Sequence, residues 1–440
     1  MGGSEMINVE VIHKEIIKPS SPTPHHLRYL PLSVFDQFKY EIYLPHVVFY
    51  PSSSEEHSLV AEKSELLKKS LSEALTQFYP FAGEFKYNDS INCDDRGAVF
   101  LEAQVNCPMS KILDDKHGLE NMGKLIPTPV RSKHAQGGHL LLVQANVFEC
   151  GGLAIAASFF HKVVDALSIS KFMESWAEIA RCSASTTDHH VVLPTEFCVA
   201  ATLFPPQEYF NSPKKLMLPL TENYMVRRRR FVFDASKIAA LKVKAASATV
   251  PSPTRVEAVS VLIWKCAMEA SRSNLGFVRS STWRHAVNMR KILAQPFAEN
   301  LLGNFSFYAI SKVEENEAND LQILVAKLRK SVEELKVKHT NEIRAEDVVQ
   351  FFKEYGELIE KDDMDNYTCS SLCRFPFCSA NFGWRKPSCT RFPLTEVFKN
   401  MFLLSDATDG NGIEAYLSMK EEDMVMFETN QDLLTYASLQ

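Results

Sequence analysis

The chain has 440 residues, enough for two or three domains or one large two-lobed unit. It is 45% hydrophobic and 23% charged with only 16 glycines, which excludes a disordered or collagen-like chain and supplies sizeable cores without disulfide or metal staples. The net charge of −6 excludes the strong basic excess of a typical nucleic-acid binder.

The first 15 residues, MGGSEMINVEVIHKE, hold no apolar segment of secretory type, and Gly2 lacks the Ser or Thr that a myristoylation motif wants. The longest apolar stretch, residues 153–160, is too short to span a bilayer. A cytoplasmic protein with no membrane partner is expected. Ten cysteines contain no CxxC, and the densest group (Cys369, Cys373, Cys378, Cys389) lacks the paired spacing of a zinc ribbon. Reduced thiols and no metal site are expected.

In chain order, residues 6–17 alternate apolar and polar and predict a strand. A helix follows, with Ser64 as its N-cap, Leu67, Leu71, Leu75 and Phe78 at helical spacing, and Pro80 as its stop. Residues 138–160 predict two adjacent strands turning at Cys150-Gly151-Gly152. A helix over 166–180 carries Ile169, Phe172, Met173, Trp176 and Ile179 on one face. The aperiodic, proline-bearing stretch 186–225 predicts a crossover between lobes 1–185 and 226–440. The second lobe opens with a basic strand, residues 227–233, and an Asp234-capped helix. Further helices are predicted over 254–270, 319–336, 345–361 and 420–428. Strands and helices interleave in both halves, so the class is α/β or α+β. The Arg227–Arg230 run is either a solvated face or a neighbour of a polyphosphate.

Of 13 histidines, only His161 has an aspartate four positions later, Asp165. Chance alone gives about half such a pair at average composition, so the spacing by itself says little. The setting says more, because His161 ends an apolar strand and precedes an amphipathic helix. It is either a satisfied core histidine with Asp165 as a helix cap, or a general base able to take a proton from a hydroxyl at neutral pH. There is no nucleophile elbow, Walker A loop, GxGxxG or HExxH. The simplest enzyme would therefore work on two bound substrates without a covalent intermediate.

Five segments in order resemble the plant BAHD acyltransferases over nearly the whole chain. They are LPLSVFDQF, SLSEALTQFYPFAGEF, FECGGLAIAASFFHKVVDALSISKF, VNMRKILAQPFAENLLGNF and SSLCRFPFCSANFGWRKP. The resemblance implies two chloramphenicol-acetyltransferase-like lobes, each a mixed sheet covered by helices, with a central channel and His161 as the catalytic base. It implies that Asp165 turns from the channel to pair with Arg290 and that Asn381, Phe382, Gly383 and Trp384 are structural. It further implies coenzyme contacts from Thr254, Asn304, Gly383, Arg385 and Lys386. Acyl-CoA is then a co-substrate and no cofactor is tightly bound. A small-molecule acceptor is the other partner, and the protein acts as a monomer. The late block departs from the family pattern, with Asn381 in place of Asp and Arg385 in place of Gly. Arg385 has moved outward, contacts a coenzyme phosphate, or impairs the enzyme.

The opening segment and the SSLCRFP block look most like the branch that acetylates alkaloid and terpenoid alcohols, which makes acetyl-CoA the expected donor. Malonyl-CoA would want a cation near the acyl pocket, and the sequence assigns none. The competing reading is a homologue that binds a ligand or steers a rearrangement without acyl transfer. A peptide-condensing domain is disfavoured, because Phe160 stands where that class has a second histidine.

Overall fold

The computed structural model describes residues 7–52, 60–114, 118–131, 138–183, 197–211, 225–292, 301–317, 319–339, 343–359, 361, 363–393 and 398–440. Most of the predicted crossover 186–225 lies outside them. The chain forms two compact units. One comprises 1–216, 300–304 and 375–395, and the other 217–299, 305–374 and 396–440.

The first unit is built on a six-stranded mixed sheet in the order Val9–Ile17, Ala98–Val105, Leu141–Phe148, Leu153–Phe160, Tyr43–Tyr50, Cys389–Arg391. Every residue of Leu153–Phe160 is buried, as a continuous apolar run in a central strand requires. The turn falls at Cys150-Gly151-Gly152 as predicted, with Gly151 at φ +73°. Helices Val60–Gln77 and Ala166–Ser183 pack on each other. Trp176 Nε1 donates to Ser70 Oγ at 3.0 Å across that contact. The first helix starts before Ser64, whose hydroxyl is not a cap but donates to Glu102 at 2.6 Å.

The late block differs from its expected place in the C-terminal lobe. Residues 375–395 belong to the first unit because Cys389–Arg391 pairs antiparallel with Tyr43–Tyr50 and extends its sheet.

The second unit carries a seven-stranded mixed sheet in the order Ser306–Val313, Ser281–Asn288, Asp365–Ser371, Met401–Asp406, Ile413–Lys420, Val226–Phe233, Ser438–Leu439. Its core gathers Trp264 from helix Arg255–Leu275 with Trp283, Tyr367 and Phe402 from three strands. The helices observed at Ala235–Ala245, Leu321–His339, Ala345–Ile359 and Glu421–Glu428 answer the four other predicted ones. The basic run is structural: Arg227 and Arg229 pair with Glu428 at 3.2 and 2.6 Å, and Arg230 pairs with Glu414 at 3.4 Å.

Candidate active site

His161 follows the last residue of the buried strand Leu153–Phe160. Its backbone is fixed on both sides: its N–H donates to the Ile42 carbonyl at 2.8 Å, and its carbonyl accepts from Asn304 Nδ2 at 2.8 Å. Its ring Nδ1 lies 2.9 Å from the Val164 carbonyl. A carbonyl only accepts, so Nδ1 must carry the proton. That assigns the tautomer and leaves Nε2 as the basic nitrogen, with no hydrogen bond among the described residues. Burial, reinforced by the positive charge of Lys39, lowers the imidazole pKa to about 4. The ring is therefore neutral at physiological pH and ready to accept a proton.

Asp165 caps the helix that follows His161, and its negative charge partly offsets the lowering of the imidazole pKa. Its Oδ1 accepts from Ser168 N at 3.0 Å and from Ser168 Oγ at 2.9 Å, capping helix Ala166–Ser183. Ser168 Oγ also lies 3.1 Å from the Gly303 carbonyl, tying the 301–304 segment to the helix start.

Behind His161 stands a buried polar cluster of which the sequence analysis singled out Asn304 alone, as a coenzyme contact. Asp36 accepts four bonds: from Ser33 N (3.0 Å), Ser33 Oγ (2.6 Å), Asn304 N (2.8 Å) and Asn304 Nδ2 (2.9 Å). Burial raises its pKa against the lowering effect of these donors. Two buried lysines share the region. Desolvation lowers Lys39 to about 8 and Lys162 to about 7, and Lys162 Nζ donates to the Gln37 carbonyl at 2.6 Å. Two signals point to Asp36 in the sequence: the capping-box spacing Ser33-x-x-Asp36 and its place in the family-like segment LPLSVFDQF.

Asn304, expected as a coenzyme contact, lies among these buried polar groups. It is fully buried, and its Nδ2 is committed to Asp36 and the His161 carbonyl, so its amide nitrogen holds the His161 backbone. Thr254 is exposed, and it closes a capping box with Glu257 at the start of helix Arg255–Leu275. Arg290 is buried in the second unit, with its guanidinium 5.1 Å from the Phe305 ring.

The 381–386 block is anchored by aromatic packing. Phe382 is fully buried, edge-on to Trp176 at 4.9 Å and stacked with Trp384 at 5.5 Å. Gly383 adopts φ +105°, a conformation that L side chains rarely adopt. Asn381 Oδ1 accepts from Gly383 N at 3.1 Å, so the amide still closes the local turn that a carboxylate could close. Arg385 is half-buried and Lys386 exposed.

No helix among the described residues is long and apolar enough to cross a membrane. Among those residues no cluster of His, Cys, Asp or Glu could hold a metal ion.

The mixed α/β fold is that of chloramphenicol-acetyltransferase-like acyltransferases, and the comparisons give the family. The model of the transferase family matches residues 7–434. The chain belongs to that family, the BAHD acyltransferases, and is an acyl-CoA-dependent acyltransferase. It is 33% identical to a 17,18-epoxy-17-hydroxycur-19-ene N-malonyltransferase of Strychnos nux-vomica, covering 98% of this chain and 91% of the relative. It is also 33% identical to stemmadenine O-acetyltransferase of Catharanthus roseus, with 96% of each chain covered. Limonoid 1-O-acetyltransferase of Citrus sinensis is 32% identical over 98% of this chain and 99% of its own. The crystal structure of vinorine synthase matches with TM-score 0.84 and 31% identity, covering 98% of this chain and 99% of that one. A TRI101 structure from F. sporotrichioides complexed with coenzyme A and T-2 shares the fold alone, at TM-score 0.70 and 17% identity.

Proposed function

We propose that the protein transfers an acyl group, acetyl in the first instance, from acyl-CoA to a hydroxyl of an alkaloid or terpenoid. The observation that carries this reading is the bond from Nδ1 of His161 to the Val164 carbonyl, which leaves Nε2 as the only basic ring nitrogen. Nε2 takes the proton of the acceptor hydroxyl while its oxygen attacks the thioester carbonyl. The tetrahedral intermediate collapses as the carbon–sulfur bond breaks, and the imidazolium returns its proton to the departing thiolate. Ester and free coenzyme A result, with no acyl-enzyme. Asp165 and Arg290 are structural, and Arg385 and Lys386 are the cations offered to the coenzyme. The intact turn at Asn381 and Gly383 favours transfer over ligand binding alone.

The test is mass spectrometry of the protein incubated with a panel of acyl-CoAs and a plant metabolite extract, with His161→Ala beside it. A new mass of acceptor plus acyl, absent from the variant, supports the reading. Product formation that persists in His161→Ala would overturn the role of the base. Coenzyme A binding with no product from any donor would favour the non-transferring alternative.

A further inference from the structure

Arg284 lies in the Ser281–Asn288 strand of the second unit and is only 5% exposed. Its neighbour Trp283 faces the core beside Trp264 and Phe402, so strand alternation puts Arg284 on the opposite sheet face. Thr368 stands beside it in the parallel Asp365–Ser371 strand, and Tyr308 sits on the same face across from Ala286. Tyr355, from helix Ala345–Ile359, stacks on Tyr308 with ring centres 4.7 Å apart, and the Arg284 guanidinium lies 5.4 Å from the Tyr355 ring centre.

This guanidinium cannot lose its proton, and a buried charge calls for a counter-charge. Its Nε makes a long 3.4 Å bond to the Tyr367 carbonyl. Its Nη1 is buried with no hydrogen-bond partner. No carboxylate pairs with it among the described residues; Glu354, beside Tyr355 on the helix that faces it, accepts from Gln350 at 2.8 Å instead. Both tyrosines are held protonated by burial, so they offer hydroxyls and apolar walls but no negative charge. The cluster is thus a planar cation with its forked donors incompletely used, against an aromatic wall, lacking only an anion. A planar carboxylate matches that fork bidentately.

We infer that Arg284, walled by Tyr355 and Tyr308 and flanked by Thr368, is a receptor for a carboxylate carried by one of the enzyme's two substrates. This rests on the acyltransferase reading. The carboxylate belongs either to a dicarboxylic acyl group on coenzyme A or to an acid-bearing acceptor.

Calorimetric titration of the full chain with malonyl-CoA, acetyl-CoA and free coenzyme A tests the donor source. Melting curves with benzoate against methyl benzoate, and malonate against dimethyl malonate, probe the receptor itself. Each comparison is run on the wild type, Arg284→Lys and Arg284→Met. If the acyl group carries the carboxylate, malonyl-CoA binds about tenfold or more tighter than acetyl-CoA, the size expected of a hydrogen-bonded charge pair. That preference falls in Arg284→Lys and vanishes in Arg284→Met, while free coenzyme A binds all three alike. If the acceptor carries it, the two thioesters bind alike and only the free acids raise the wild-type melting temperature over their esters. The proposal is overturned if wild type shows neither preference, or if a preference survives in Arg284→Met. The wild-type comparison needs no variant to fold. A failure of every coenzyme species to bind would instead count against the acyltransferase reading, leaving the acid-against-ester comparison to decide on Arg284.

Discussion

Replacing Asn304 by alanine should be costly in a way its burial alone does not explain. The change removes the bond from Nδ2 to Asp36 at 2.9 Å and the one to the His161 carbonyl at 2.8 Å. Losing a donor to a buried carboxylate costs about 1.5–3 kcal/mol, and stranding a buried carbonyl about 1–3 kcal/mol. The bond from the Asn304 backbone N–H to Asp36 survives. One term runs the other way, because Asn304 Oδ1 is itself buried with no partner and its removal returns about 1–2 kcal/mol. The net expectation is a loss of about 0.5–5 kcal/mol, centred near 3, at or below the ~5–15 kcal/mol that a typical domain has. The fold should therefore survive with the His161 peptide loosened. Urea unfolding measures the stability, and turnover on the acceptor identified by mass spectrometry measures kcat and KM. With His161 as the proposed base, we expect kcat to fall with KM little changed, since Asn304 Nδ2 holds the His161 carbonyl. Asn304→Asp sharpens the point: it keeps the shape but sets a second carboxylate against Asp36, so it should be less stable than the alanine variant at neutral pH. A loss under about 0.5 kcal/mol in Asn304→Ala, or an aspartate variant as stable as wild type, would refute the reasoning.

His161, lowered to about 4, should keep the acid limb of kcat/KM well below the ordinary histidine range near 6.5. Lys39→Met removes a positive neighbour, which favours the protonated ring and should move that limb upward in a pH–rate profile. Three histidines are lowered by burial, His46 to about 3 and His161 and His285 to about 4. Between about pH 4 and 6.5 the unfolded chain binds more protons at these sites, so their contribution to stability, full above 6.5, is lost as pH falls through that window. Denaturation midpoints measured from pH 7.5 to 4.5 should fall accordingly, and His46→Phe should flatten the decline. Gly383→Ala has room for its methyl, whose nearest neighbour is Arg181 Cα at 3.9 Å, but must hold φ near +105°. It should lose about 1–3 kcal/mol from backbone strain, read as a lowered midpoint in denaturant.

Much of the fold was legible where the pattern is local. The apolar run 153–160 announces a central strand, and its end places His161 at a junction between strand and helix. The start of helix Val60–Gln77 was misread because Ser64 looks like a cap, while its real partner, Glu102, lies on a distant strand. The deeper parts of the site are long-range. Asp36 and Asn304 are 268 positions apart, and neither carries a sign in sequence that they share a bond. The short strand Cys389–Arg391 has no periodicity of its own, being defined by the edge of Tyr43–Tyr50 that it covers. Alternation in STWRHAVN separates Arg284 from Trp283, but the lack of a facing carboxylate is visible only in three dimensions.

The membership of residues 375–395 in the first unit bears on how the chain is made. A nascent polypeptide emerging from the ribosome reaches residue 216 with its first sheet still missing a strand. Synthesis at about 5–20 residues per second takes roughly 9–36 s more to deliver residue 395. During that interval the Tyr43–Tyr50 strand has an unpaired outer edge, the kind of edge that templates intermolecular pairing. Folding of the amino-terminal unit is therefore completed only after translation of much of the other, and expression of 1–216 alone would yield a sheet that is open along the same edge.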